Sequence, residues 1–167
     1  MSTWIGTEPS WKPWRDSGHL FRGRFLDKCA FVEQWAIETL AASGEASKAR
    51  YLFGQKLAAV QKLAEADPSP LKGARKILAL LEQFQPLAAL RSDLAHSRLT
   101  VAATPEGAPL LIFEPCNAGS AAARRSVVLR EEECQTVLGE LSRLANQLRQ
   151  LSPSLQLPRA RAVASDP

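Results

Sequence analysis

The sequence predicts a mainly α-helical domain, an up-and-down bundle of about four to five helices with a short β-hairpin or meander before the last helix. Three observations lead to this prediction. Apolar residues recur at steps of three and four over most of the chain, the spacing of one helix face. At about residues 98–129 the pattern changes to short β-type runs around Pro and Gly. The chain has 167 residues, 46% of them hydrophobic, which is enough for one sizeable core.

We divide the chain into three parts. Residues 1–18 form an N-terminal arm, residues 19–151 form the helical domain with its β excursion, and residues 152–167 form a tail that we expect to be disordered. Tryptophans in the arm are expected to be local packing anchors rather than platforms on which bases stack, because tryptophan buries a large apolar surface. The arm contains Trp4, Trp11 and Trp14.

The first helix is predicted over residues 20–40, with Asp16 or Ser17 as its N-terminal cap. Its apolar stripe consists of Phe21, Phe25, Cys29, Val32, Ala36 and Leu40. The segment SGEAS ends this helix, and Ser47 is then placed to cap a second helix that runs to about Ala66.

The segment DPSP predicts a turn followed by a third helix, because Pro70 fits the first helical position and Ser69 can cap it. Pro86 then either starts a fourth helix or kinks a continuous one. Beyond Ser97, the segments RLTVAA, PLLIFEP and RRSVVL predict β-strands. A final helix is predicted from about Glu131, where successive glutamates suit the positive end of the helix dipole.

Charge and cysteine content narrow the classes of function. The net charge of +4 permits a polyanionic partner without requiring one. The three cysteines, Cys29, Cys116 and Cys134, form no CxxC pair, so neither a zinc site nor a disulfide framework is expected. We expect no cofactor and no metal. The sequence shows no secretory signal and no apolar run near the roughly 20 residues that span a bilayer, so the protein is expected to be soluble and cytoplasmic.

The segment LRSDLAHSRL, residues 90–99, carries the most specific chemical signal. At about 100° per residue, His96 falls opposite the apolar face of its helix, so this imidazole is not expected in the core. Ser92 and Asp93 lie within one turn of His96, and either side chain could hold the imidazole in one tautomer. The apolar positions of the face are Leu87, Leu90 and Leu94.

Arg91 lies at the edge of that apolar face, about 140° from His96 on a regular helix. The two side chains can meet on one phosphate through the long arginine stem, through a distortion at the helix end, or through a second chain. RNA cleavage without metal needs a base for the ribose 2′-OH, an acid for the 5′-oxygen and a cation for the phosphorane. One histidine cannot serve both faces at once, whereas a two-fold dimer would supply two copies of His96 and of Arg91.

A helical bundle whose penultimate helix ends in LRSDLAHS resembles the HEPN domain superfamily. The resemblance covers roughly residues 20–150 and is specific only over this segment. It implies metal-independent RNA cleavage at a composite homodimer site, with Arg91 as the motif arginine and His96 as the motif histidine. Ser92 stands where members of the family usually carry Asn, Asp or His, and Asp93 follows it.

Two functions from different classes follow. The first is a HEPN-like endoribonuclease, a toxin or defence effector, that acts on RNA as a homodimer and has an antitoxin protein as a candidate partner. The alternative is a non-catalytic HEPN-like module for dimerisation or ligand binding. One subgroup of the family carries Tyr where this chain has Arg98, so regulation by the nucleotidyltransferase antitoxins of that subgroup is not expected.

Basic side chains could form an RNA-binding rim if they fold near the motif. These residues are Lys72, Arg75, Lys76, Arg98, Arg124 and Arg125. The second of the two histidines, His19, has no arginine at the motif offset, and we expect it to be a surface or capping residue.

Overall fold

Four α-helices and a three-stranded antiparallel sheet make up the described part of the chain. The computed structural model describes residues 11–50, 52–116 and 126–151, apart from the side chains of residues 49 and 50. The helices are α1 (Lys12–Ala42), α2 (Phe53–Glu65), α3 (Ala74–Ala95) and α4 (Glu131–Gln150). The strands are β1 (Ser97–Ala103), β2 (Pro109–Pro115) and β3 (Val127–Leu129). The predicted fold class, a helical bundle with a small β excursion before the last helix, is confirmed.

Helix α1 begins earlier than predicted. It starts at Lys12, so residues 12–18 belong to the helix rather than to the predicted arm. Asp16 and Ser17 are therefore interior residues of the helix and not its caps. Pro13 suits the first turn, where the N–H group that proline lacks would have no partner within the helix.

The tryptophans of the predicted arm differ in position. Trp11 precedes the first residue of α1 and Trp14 lies in its first turn, and both side chains are half-buried. Trp4 lies outside the described residues, as does the predicted tail, residues 152–167.

A short 3-10 helix, Ala46–Arg50, stands between α1 and α2 and contains Ser47. Ser47 therefore does not cap α2, contrary to the prediction. Helix α2 begins at Phe53, and the side chain of Gln55 accepts a hydrogen bond of 3.0 Å from the backbone N–H of Leu52. Gln55 thus provides the acceptor at this helix start that the prediction assigned to a serine.

The predicted cap of the third helix, Ser69, instead closes the turn that follows α2. Its hydroxyl donates to the carbonyl of Leu63 (2.9 Å) and accepts from the backbone N–H of Leu71 (3.2 Å). Helix α3 begins later than predicted, at Ala74, after Gly73 with a φ of +77°. Glycine takes this left-handed conformation without a steric penalty.

Pro86 lies inside α3, which is continuous on both sides of it. Of the two predicted alternatives, the structure therefore has one long helix rather than two. At a rise of about 1.5 Å per residue, the 22 residues of α3 span roughly 33 Å. The first and last turns of α3 consequently lie at opposite ends of the bundle.

The sheet has the order β1-β2-β3, and the predicted meander is confirmed. Leu99 pairs with Phe113 across the first two strands, and Ile112 pairs with Val128 across the last two. Residues 117–125, between β2 and β3, lie outside the described residues. The sheet thus places β1 directly after α3 and brings β3 directly before α4.

Helix α4 begins at Glu131, as predicted. The backbone N–H of Arg130 donates to the carboxylate of Glu133 (2.7 Å), which satisfies a donor at the helix start. The buried side chains of α4 follow the predicted apolar stripe. They are Cys134, Leu138, Leu141, Leu144 and Leu148.

Helix α1 lies at the centre of the fold and contacts the other three α-helices and the first two strands. Near its start it approaches the sheet closely at Gly18, where a Cβ atom would lie 2.7 Å from Cδ2 of Leu99. One turn later the rings of Phe21 and Phe113 pack with their centres 6.0 Å apart. The first turns of α1 therefore lie against the sheet that follows α3. Among the described residues, no helix is both long enough and apolar enough to cross a membrane.

Candidate functional site

The motif arginine, Arg91, lies on the side of α3 that faces α2. Its guanidinium carbon is 5.3 Å from the centre of the Phe53 ring, a cation–π distance, and the residue is half-buried. Phe53 is buried at the start of α2 and packs against Phe84 of α3, with ring centres 6.0 Å apart. Arg91 thus contributes to the contact between α3 and α2.

A partly buried ion pair and a buried thiol lie in the region of Arg91. Lys56 of α2 is 7% exposed and pairs with Glu33 of α1. Burial raises the pKa of the Cys29 thiol to about 12, while the charge of Arg91 acts to lower it and that of Glu33 to raise it. A thiol with this pKa stays protonated at neutral pH and is a poor nucleophile. Arg91 therefore lies among groups that belong to the packing of α1, α2 and α3.

His96 is the residue that ends α3, and its side chain is exposed. Its backbone carbonyl accepts a hydrogen bond of 3.0 Å from the N–H of Cys116, which fixes the backbone where the sheet begins. Arg91 lies about 7.5 Å away along the helix axis and about 140° around it. With the Arg91 guanidinium over Phe53, the single chain does not bring the two motif side chains to one side of α3.

A different arginine lies at the junction of α3 and β1. Arg22 of α1 donates through Nη1 to the carbonyl oxygen of Ser97 (3.0 Å), the residue that follows His96. Its Nη2 lies 3.0 Å from Nδ1 of His19. Of the two histidines of the chain, His19 therefore contacts Arg22 directly, and His96 directly precedes the residue whose carbonyl Arg22 contacts.

From the sequence, His19 is expected to be a surface or capping residue, and Arg22 is assigned no role. His19 and Arg22 are three residues apart, a spacing at which helical side chains touch, so the sequence contains the signal for this pair. The contact of Arg22 with Ser97 spans 75 positions of the chain. The periodicity of a single helix or strand carries no information on a contact of that range, so the sequence does not predict this cluster.

Ser92 and Asp93, the predicted supporting residues, are both half-buried on the last turns of α3. Among the hydrogen bonds and ion pairs of the described ranges, none joins either side chain to His96. The hydroxyl that bonds within this turn belongs to Ser97, which donates to the carbonyl of Leu94 (3.1 Å). The role of Ser92 and Asp93 in orienting the imidazole stays a prediction.

Three of the basic residues predicted for an RNA-binding rim lie around the start of α3. They are Lys72, Arg75 and Lys76, and all are exposed. Because α3 is continuous, they lie roughly 30 Å from His96 in the same chain. These residues do not surround the motif within one protomer, and the expectation of a single rim fails for them.

Arg98 lies on β1 next to the motif and pairs with Glu114 of β2 (3.3 Å). Hydrogen bonds from Thr100 and from Arg98 hold the pKa of Glu114 below its ordinary value, so the carboxylate is charged at neutral pH. The pair is exposed to solvent, with 78% of the Arg98 side chain accessible, so the charge of Arg98 stays at the surface beside the motif. Arg124 and Arg125 lie outside the described residues.

In the described ranges, no group of three His, Cys, Asp or Glu side chains is placed to hold a metal ion. Near the end of α3 the guanidinium of Arg22 contacts the imidazole of His19 and the carbonyl of Ser97, the residue after His96. Imidazole and guanidinium are groups that suit anions. No protein-family model matches the chain, and no curated protein or solved structure matches it significantly.

Proposed function

We propose that the protein is a metal-independent endoribonuclease of the HEPN type that acts as a homodimer. The observation that carries the proposal is the exposure of His96 at the end of α3, where its imidazole is open to RNA and to a second chain. The resemblance of the RSDLAH segment to the HEPN motif supports the same role. A histidine packed inside its own subunit could not take part in this chemistry.

The reaction requires two proton transfers on opposite sides of one phosphorus atom. A neutral imidazole takes the proton of the ribose 2′-OH as that oxygen attacks phosphorus. The bond from phosphorus to the 5′-oxygen breaks, and an imidazolium gives its proton to the departing oxygen. Guanidinium groups stabilise the negative charge of the phosphorane. The products are a 2′,3′-cyclic phosphate and a free 5′-hydroxyl, and in a two-fold dimer the two copies of His96 would supply both imidazoles.

One observation favours a second candidate function, a non-catalytic module for dimerisation or ligand binding. The motif arginine, Arg91, stacks on Phe53 and would have to leave that ring to contact a phosphate beside His96. If it stays in place, Arg91 serves the packing of α3 against α2 and the motif contributes no cation to catalysis. The two candidates therefore differ in whether RNA is cut, and not in the fold.

The decisive experiment incubates the purified full chain with single-stranded RNA in the presence of EDTA. We expect cleavage that leaves 2′,3′-cyclic phosphate ends. His96→Ala should abolish it with an unchanged circular dichroism spectrum and Tm, because this side chain is exposed. Arg75→Ala, at the exposed far end of α3, is the matched control and should cleave like the wild type. Intact RNA with the wild type, or equal cleavage by His96→Ala, would reject the nuclease and leave the binding module.

A nuclease of this kind would act as a toxin or a defence effector and would be restrained by an antitoxin protein. Production of the wild-type chain in cells should then arrest growth, and His96→Ala should not. Sedimentation velocity of the purified chain tests the homodimer directly. A monomer at micromolar concentration that still cleaves RNA would contradict a site shared between two chains.

A further inference from the structure

We propose that His19, Arg22 and His96 form a phosphate-binding site within one chain, in which Arg22 and His19 hold the phosphate on which His96 acts. The catalytic part rests on the proposed nuclease function, whereas the binding part stands on the geometry of α1 and the α3–β1 junction. A phosphodiester is the ligand that this set of groups fits, and inorganic phosphate is its simplest probe.

The contact between Arg22 and His19 fixes which nitrogen of the imidazole carries a proton. The 3.0 Å contact joins Nη2 of Arg22 to Nδ1 of His19. A guanidinium can only donate hydrogen bonds, so Nδ1 is the acceptor. In this arrangement the ring of His19 is neutral and its proton is on Nε2. The Nε2–H group, on the far side of the ring from Arg22, is then a donor for an anion.

Arg22 is held at two points before any ligand arrives. Nη1 donates to the carbonyl of Ser97 and Nη2 donates to His19, both at 3.0 Å. A guanidinium has five N–H groups, so these two contacts leave others for a phosphate oxygen. Because the side chain is half-buried and fixed in place, little conformational entropy is lost when an anion binds.

His96 adjoins the residue whose carbonyl Arg22 contacts. Consecutive Cα atoms are about 3.8 Å apart, so the His96 backbone lies within about one residue of the contact between Arg22 and Ser97. Both imidazoles are exposed, and a phosphate can approach them from solvent. Arg98, the other cation next to His96 in the sequence, is exposed and pairs with Glu114 on the sheet. Arg22, which is half-buried and held at two points, therefore provides the fixed positive charge of this site.

The contact with Arg22 determines what His19 can do in cleavage. With Nδ1 accepting from Arg22 and the proton on Nε2, the neutral ring has no free lone pair to act as a base and no charge to act as an acid. Its Nε2–H group and Arg22 instead contact the non-bridging oxygens and stabilise the phosphorane. The two proton transfers stay with His96 and with its copy in the second chain of the proposed dimer.

Nuclear magnetic resonance can follow the two imidazole rings separately, because the chain has only two histidines. His19→Gln and His96→Gln assign the two imidazole signals, and the wild-type chain is then titrated with inorganic phosphate at constant pH. We expect both signals to shift with one shared Kd. A shift of only one ring, or no shift up to high phosphate concentration, would overturn the proposed site.

Variants of the arginine test its part in the site. Arg22→Gln removes a charged hydrogen-bond donor and should raise the Kd for phosphate about tenfold or more. Arg24→Gln is the matched control, because Arg24 is exposed about 200° around α1 from Arg22 and should bind phosphate like the wild type. Arg22→Gln also loses the bond to Ser97, so His19→Gln, at an exposed position, tests the same site without that loss. Wild-type affinity in both variants would contradict the proposal.

Measurements of RNA cleavage and of phosphate binding together distinguish the proposed phosphate site from the proposed nuclease function. If both rings respond to phosphate while RNA stays intact, the binding site stands and the nuclease is wrong. If RNA is cleaved and His96→Ala abolishes cleavage while His19→Gln cleaves like the wild type, the nuclease stands and the role of His19 is wrong. We expect His96→Ala to abolish cleavage and His19→Gln to slow it, with the fold retained in both.

Discussion

The guanidinium of Arg91 lies over the ring of Phe53, with 5.3 Å between the guanidinium carbon and the ring centre. The arginine of the motif is thus part of the contact between two helices. An arginine used only in catalysis would leave stability unchanged when replaced. The structure therefore makes a prediction about Arg91 that does not depend on any activity.

Arg91→Met replaces the arginine with an unbranched apolar side chain and removes the charge. This variant should lower the free energy of unfolding by about 0.5–1 kcal/mol, the usual size of a partly exposed cation–π contact. Urea denaturation of the wild type, Arg91→Met, Phe53→Leu and the double variant measures the coupling between the two side chains. We expect a coupling energy of about the same size. Strictly additive effects would show that the stacking contributes nothing.

The ion pair between Lys56 and Glu33 should contribute more to the free energy of unfolding than the exposed ion pairs do. Lys56 is 7% exposed, so Glu33→Gln leaves a buried ammonium without its partner. We expect a loss of about 2–3 kcal/mol in unfolding free energy, below the roughly 3–5 kcal/mol of a fully buried pair because the Glu33 side chain is 26% exposed. Lys56→Met in the Glu33→Gln background should recover part of this loss. Chemical denaturation measures all three proteins, and a further loss in the double variant would contradict the account.

Alanine substitutions at two glycines of α1 test how closely this helix packs against the sheet. At Gly18 a Cβ would lie 2.7 Å from Cδ2 of Leu99 and 3.1 Å from Cδ2 of Leu111, whereas at Gly23 nothing lies within 4 Å. Gly23→Ala should stabilise the protein by about 0.5–1 kcal/mol through helix propensity. Gly18→Ala gains the same propensity but must displace packed side chains, and we expect a net loss of about 1 kcal/mol. Thermal melts of both variants provide the comparison, and equal Tm values would argue against close packing at Gly18.

The three cysteines should differ sharply in reactivity. Burial raises the pKa of Cys29 to about 12 and that of Cys134 to about 11, so both stay protonated in the folded protein, while Cys116 is exposed. A disulfide reagent at pH 8 should therefore modify one thiol per folded chain, and Cys116→Ser should abolish this fast phase. Between pH 7 and 9 the two buried thiols should stay unreactive, since a raised pKa keeps them uncharged over that range. Rapid modification of Cys29 or Cys134 without denaturant would contradict the burial.

The sequence predicts the fold well where apolar periodicity and packing coincide. The stripe of α4, from Cys134 to Leu148, is both periodic and buried, and the β runs predicted beyond Ser97 include the paired strands β1 and β2. The start of α1 is missed because its first turns contact the sheet through Gly18, and glycine adds nothing to an apolar stripe. Helix caps are missed where a neighbouring side chain, such as Gln55, performs the role that a nearby serine could have performed.

The candidate site is less predictable because its parts come from distant positions. The exposed placement of His96 follows from the helical spacing of its own segment. The stacking partner of Arg91 and the contact of Arg22 with Ser97 depend on which helices become neighbours, which one helix cannot report. The predicted RNA-binding rim of basic residues does not surround the motif within one chain, for a related reason. Lys72 and Arg75 precede or begin a helix that continues through Pro86, and its length separates them from the motif.

Among the helices, α1 packs most extensively against α4, the last element of the described chain. During translation the apolar face of α1, including Phe25, Val32 and Leu40, leaves the ribosome long before the segment that covers it. Exposed apolar surface of this kind favours aggregation and attracts chaperones. A nascent chain that stalls before residue 131 would therefore expose the apolar face of α1. Its solubility would depend on what binds that face before synthesis ends.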